Sequence, residues 1–139
     1  MVAYSFKKRF VEPIRVGLSR ITLSFDCTPK RQTIRAIGKR RHARPGETLQ
    51  LYTAMRTKQC EKIGDARCTE VGEIVIAFGK RPNNTIISID GAARYTGPAL
   101  HAFAQNDGFV DWDDMVRFWE AEHGTSAAFK GVLIQWEPL

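Results

Sequence analysis

At 139 residues the chain is long enough for one hydrophobic core and too short for two. Its 43% hydrophobic and 26% charged composition is that of an ordinary globular protein, and no run approaches the roughly 20 apolar residues of a membrane-spanning helix, so one domain over 1–139 with no membrane partner is expected. The net charge of +6 is unevenly spread: residues 1–67 hold 16 Lys/Arg against 5 Asp/Glu, and residues 68–139 hold 5 against 10.

Such a basic half attracts polyanions, of which nucleic acid is the commonest in a cytoplasm. The bland alternative is a solvated face that keeps the protein dissolved. Met1 to Arg9 runs apolar first and basic second, the reverse of a secretory signal, which makes the cytoplasm the expected location. Cys27, Cys60 and Cys68 form no CxxC and no Cys/His cluster at zinc spacing, so neither metal nor cofactor is expected. Cys60 and Cys68 are placed to meet across a hairpin only by chance.

In chain order, Val2 to Phe6 carries β-branched and aromatic residues in weak alternation and reads as a strand. Phe10, Val11 and Ile14 then fall at helical spacing, with Gly17 as the expected C-cap and Pro13 tolerable in the first turn. Ser19 to Pro29 reads equally as a hairpin or an enlarged loop. Gln32 to Ile37 is a strand that places Thr33 and Arg35 on one face and Ile34 and Ala36 on the other. The basic run from Lys39 to Arg44 is an exposed loop closed by the Pro45-Gly46-Glu47 turn, and Thr48 to Thr53 is a strand.

Arg56 to Cys60 leads out of that strand. Ala66 to Phe78 supplies one long or two shorter strands, Arg81 to Asn84 a turn, and Thr85 to Ile89 the returning strand. Leu100, Phe103 and Ala104 define a helix with Pro98 at its first position, stopping near Asn106-Asp107-Gly108. Asp111 caps the next helix, whose stripe of Trp112, Met115, Val116 and Trp119 is core, and Gly124 ends it. Lys130 to Trp136 alternates as a last strand. Short strands with helices near both ends and no βαβ rhythm make an α+β fold.

Lys30-x-x-Thr33-x-Arg35 is the constellation richest in chemistry. A desolvated ammonium among cations loses basicity and acts as a base toward a hydroxyl, while a guanidinium holds an oxygen-rich ligand. Spacing alone equally describes a strand whose cations face water. Tyr52 and Arg56, an aromatic face beside a cation, suit base stacking and phosphate contact, or a barrel-facing Tyr and a solvated Arg. His42, His101 and His123 share no ligand spacing and read as surface or capping residues.

Phe10-x-x-x-Ile14-x-x-Gly17, Lys30-x-x-Thr33-x-Arg35 and Pro45-Gly46-Glu47-x-Leu49, with Asp107-Gly108-Phe109 ahead of a helix ending Phe118-Trp119, together resemble the ASCH domain family. The resemblance implies a PUA-like small β-barrel with flanking helices and a cleft for RNA or a modified pyrimidine nucleoside. A similar bacterial branch hydrolyses N4-acetylcytidine to cytidine and acetate with a Lys, a Thr and a Glu. By position these become Lys30 as base, Thr33 as nucleophile and the shorter Asp107 as acid. Arg35, Lys39, Arg40, Arg41, Tyr52, Arg56 and Phe109 are the expected ligand contacts. Two departures stand out: the Leu18–Pro29 segment separates Gly17 from Lys30, which are nearly adjacent in the family, and Asp replaces Glu at 107. Three functions follow as expectations: a nucleoside- or RNA-binding module, an N4-acetylcytidine amidohydrolase-like enzyme, and a basic protein-interaction module without a small ligand.

Overall fold

Alternation of inward apolar and outward polar residues builds most of this molecule. A computed structural model describes residues 2–19, 28–79, 84–124 and 128–139. Among them seven strands form one sheet: β1 (Val2–Phe6), β2 (Gln32–Arg35), β3 (Thr48–Thr53), β4 (Glu61–Ala77), β5 (Ile86–Ile89), β6 (Ala92–Tyr95) and β7 (Phe129–Pro138). The helices are α1 (Val11–Leu18), entered through a 3-10 turn at Lys8–Phe10, α2 (Ala99–Asn106) and α3 (Trp112–Glu122). The fold is mixed α+β, its sheet curled into a half-barrel.

The 17-residue β4 organises the sheet. Its first part pairs antiparallel with β3 (Leu49 opposite Ala66), and its last part with β5 (Ile74 opposite Ile89). Along its other edge runs β7, from Ala66 opposite Pro138 to Ile76 opposite Phe129. β1 lies parallel to β3, with Tyr4 opposite Leu51, and β2 lies antiparallel to β7, with Thr33 opposite Ile134. Among the described residues β1, β2 and β6 each pair along one edge only, and no backbone ladder joins β1 to β2. Bulges at Leu51/Tyr52 and Cys68/Glu70 add the local twist that curling needs.

Tyr4, Phe6, Leu49, Leu51, Ile74, Ile76, Ile87, Leu133, Ile134 and Trp136 of the strands bury against Ile14 of α1, Phe103 of α2 and Met115 of α3 in one continuous core. The stripe of α3 behaves as expected: Trp112, Met115 and Trp119 are buried and Val116 half-buried, and Asp111 caps the helix by accepting from Asp114 N at 2.8 Å. No helix among the described residues is long and apolar enough to cross a membrane.

Four sequence readings are corrected. Gly17 lies within α1, whose C-cap is Ser19. Its missing side chain serves packing instead, because a Cβ there would collide with the Lys30 carbonyl oxygen. Pro98 is the N-cap of α2 rather than its first residue, although its backbone is already helical (φ −61°, ψ −26°). Cys60 is exposed and Cys68 buried, both free, and Cys68 lies within β4 just beyond Cys60, so no hairpin brings them together. β6 was not foreseen from Ala-Ala-Arg-Tyr, yet its signal was present: Asp90 and Gly91 both take positive φ (51° and 83°), the two-residue turn that Asp-Gly favours. Most of the turn expected at 81–84 and most of the 18–29 segment lie outside the described residues.

Candidate functional site

The site begins with the end of α2. Gly108 N donates to Gln105 O and Phe109 N to Ala104 O, both at 3.0 Å, the paired bonds of a Schellman cap with Gly108 left-handed at φ 93°. Asp107 is thus the C-cap residue, and its own carbonyl points away from the helix unclaimed. The segment after α1 comes alongside: Lys30 N donates to Pro13 O at 2.9 Å and Arg31 N to Asn106 O at 3.0 Å. That places Lys30 under the helix end, where its ammonium donates to Asp107 O at 2.5 Å and stands 3.5 Å from Asp107 Oδ1. A cation at the negative end of α2 is electrostatically favoured. Gly108 is needed for closeness as well as for its backbone, since a Cβ there would stand 3.0 Å from Lys30 Cβ.

Lys30 is only 2% exposed, Thr33 4% and Asp107 5%. The ammonium lies 4.6 Å from the Phe10 ring centre and 5.7 Å from that of Phe6, so aromatic faces replace part of its lost hydration. Burial, aided by the Arg35 charge, lowers its pKa to about 8 against the opposing pull of Asp107. The Asp107 carboxyl is pushed above its ordinary range by burial, a rise opposed by Lys30, Gln32 and Arg35. Asp107 Oδ1 is buried without a hydrogen bond.

β2 supplies the second half. Thr33 and Arg35 share a face, as alternation predicts, and Arg35 Nε donates to Thr33 Oγ1 at 3.1 Å. Its Nη2 donates to Ser5 O at 2.7 Å, and the guanidinium stacks over Phe6 at 4.7 Å and Tyr4 at 5.2 Å. Arg35 therefore bridges β2 to β1 across the open seam of the half-barrel. Thr33 accepts from Arg35, which leaves its hydroxyl proton free to donate elsewhere.

Lys30, Thr33, Arg35, Asp107 and Phe109 all line one cavity of about 370 Å³ at this seam, walled further by Phe6, Phe10 and Phe118. Lys39, Arg40 and Arg41 do not enter it. They line an adjoining cleft of about 680 Å³ with Tyr4 and His42, and Arg35 and Ala36 belong to both. Tyr52 and Arg56 line neither. Tyr52 lies one strand away, opposite Ser5 of β1, and Arg56 is carried off the strand end in a left-handed conformation (φ 66°).

Comparison with protein-family models, curated proteins and solved structures finds no match to this chain.

Sequence reasoning missed several contributors. Phe6 and Phe10 form the aromatic surroundings of the ammonium, and alternation along β1 was the available clue to Phe6. Gln32, 1% exposed, accepts from Asn106 Nδ2 at 2.9 Å and lies close enough to Asp107 to oppose the rise in its pKa. His42 is a tie, with Nδ1 3.1 Å from Tyr4 Oη and Nε2 3.0 Å from Ala36 O, while His123 lines the Lys30 cavity. The cavity as a whole offers ammonium, guanidinium and hydroxyl donors, one carboxylate acceptor and aromatic walls. That set suits a flat polar ring better than a bare ion.

Proposed function

We propose that the cavity receives the base of a pyrimidine nucleoside, free or within RNA, and that the chain is a PUA-like module of the ASCH type. The observation that carries this reading is the buried Lys30–Asp107 pair, set beside Thr33 and Arg35 in an open cavity. Burying such a pair is costly, and aromatic packing alone would fill the same space more cheaply. A volume of about 370 Å³ lies in the range of small-ligand sites and accommodates a nucleoside. The curled sheet, the flanking helices and the Lys30-x-x-Thr33-x-Arg35 arrangement agree with the resemblance read from the sequence. Titration calorimetry with cytidine tests the reading: saturable binding that Lys30→Ala abolishes supports it, and no heat at millimolar ligand refutes it.

A second reading, hydrolysis of N4-acylated cytidine, is favoured by one observation, the Lys30 pKa of about 8. About one lysine in ten is then neutral at pH 7. Neutral Lys30 takes the Thr33 hydroxyl proton as Oγ1 attacks the acyl carbon. The C–N4 bond then breaks, with Asp107 or the lysinium returning a proton to the departing amine. Water cleaves the acyl-threonine ester in a second step and releases acetate. Following cytidine chromatographically after incubation with N4-acetylcytidine separates the readings, because a binding module releases none.

A further inference from the structure

The cleft next to the cavity has no role in either reading. It lies between β1 and the loop after β2, lined by Tyr4, Arg35, Lys39, Arg40, Arg41 and His42. Its cations divide into two kinds. Arg41 is spent on structure, donating from Nη1 and Nη2 to the two carboxylate oxygens of Glu47 at 2.7 Å each, which holds the Glu47 carboxyl down to about 2. The loop is further fastened by His42, through Ala36 O and Tyr4 Oη, and by Ala43 N donating to Tyr4 Oη at 3.1 Å. Lys39 and Arg40 are exposed on this fastened loop, and neither has a carboxylate partner among the described residues.

Arg35 joins the two spaces. Its hydrogen bonds to Thr33 Oγ1 and Ser5 O use two N–H groups of the five that a guanidinium carries, which leaves three for a ligand. A fixed guanidinium at the mouth of a base-sized cavity, with two unpaired cations beyond it on a tied loop, has the charge and layout of a phosphate site.

We propose that this cleft is a phosphate subsite, so that the ligand is a pyrimidine nucleotide whose base enters the Lys30 cavity while its phosphate is held by Arg35, Lys39 and Arg40. The inference rests on the base-site reading for the cavity and adds the chemical class of the ligand. The phosphate belongs either to a free mononucleotide or to a strand, and the two sources are separable by experiment.

Calorimetry on the wild-type chain and on K39A/R40A, with cytidine, cytidine 5′-monophosphate, cytidine 3′-monophosphate and a five-nucleotide pyrimidine RNA, tests it. Lys39 and Arg40 do not line the cavity, so the double variant should bind cytidine as the wild type does. One of the monophosphates should bind the wild type about tenfold or more tightly than cytidine, an advantage that disappears in the double variant. If a strand is the source, the RNA binds tighter still, and the double variant lowers its salt slope by about 0.7 for each phosphate no longer neutralised. Equal affinity for cytidine and both monophosphates in the wild type overturns the subsite while leaving the base site standing, and so does a monophosphate advantage that survives K39A/R40A. Monophosphate binding that depends on Lys39 and Arg40, with no cytidine binding, keeps the subsite and removes the base site. No binding of any ligand removes both.

Discussion

Replacing Lys30 by Met keeps the length and apolar stem of the side chain and removes the one group whose ionisation the fold perturbs most plainly. Lys30 has its ordinary pKa of 10.5 in the unfolded chain and about 8 in the folded one. A cation whose folded pKa is depressed releases its proton more readily in the native state, so the unfolded state binds more protons between these values and stability rises with pH there. Folded Lys30 is almost fully charged at pH 7 and almost fully neutral at pH 9.5. Integrating between those limits gives a stability gain of about 2 kcal/mol from this residue. With its side chain 3% exposed, little of that is lost to solvent screening. The informative quantity is the difference between the wild type and Lys30→Met, in which contributions common to both proteins cancel. Urea unfolding of both proteins at pH 7 and pH 9.5 measures it. The wild type should gain about 2 kcal/mol relative to the variant, or roughly 1 M in relative midpoint. Parallel pH profiles for the two proteins would refute the burial of a charged Lys30.

Thr33→Val removes the acceptor of Arg35 Nε and leaves a half-buried donor unpaired, which should lower stability by about 1 kcal/mol in chemical denaturation and abolish any release of cytidine from N4-acetylcytidine. Gly17→Ala inverts the usual helix rule. Alanine ordinarily stabilises a helix interior by about 1 kcal/mol, but here its Cβ meets the Lys30 carbonyl, so thermal melting should show a loss of about 1–3 kcal/mol and cytidine affinity should fall with the displaced lysine. Asp111→Ala removes the α3 cap and should cost about 1 kcal/mol in the same melts while leaving cytidine binding unchanged, since Asp111 does not line the cavity.

What the sequence made legible was local. Asp111 and the Trp112-Met115-Val116-Trp119 stripe placed α3 because cap chemistry and 3.6-residue spacing act within one element. Thr33 and Arg35 were joined correctly because two-residue alternation puts them on one face of β2. Tyr52 and Arg56 went astray for a non-local reason. The strand after the basic loop pairs in parallel with β1, nearly fifty residues earlier, and this interposes β1 between β3 and the cavity. Nothing in the β3 pattern announces that neighbour. The burial of Lys30 was equally illegible, because it follows from where the end of α2 falls, 77 positions away along the chain. Asp107 was reached only through the family resemblance. Read by itself, Asp-Gly signals a helix end, and it is one: the same residue terminates α2 and holds the lysine.

That double duty explains why the site sits where it does. A sheet that curls without closing leaves two edges facing each other, and backbone groups at such a seam need partners that no ladder supplies. Here one partner is a side chain, with Arg35 of β2 donating to Ser5 O of β1. The Schellman cap of α2 similarly leaves the Asp107 carbonyl to be met by Lys30. Both cations are therefore held by backbone oxygens, Arg35 by Ser5 O and Lys30 by Asp107 O. Neither commitment exhausts its donors, since an ammonium has three and a guanidinium five. The fold thus fixes two partly uncommitted cations in the wall of an aromatic cavity, with donor positions set during folding. Preorganised donors of this kind lower the ordering cost of binding, which is what the proposed nucleoside site requires.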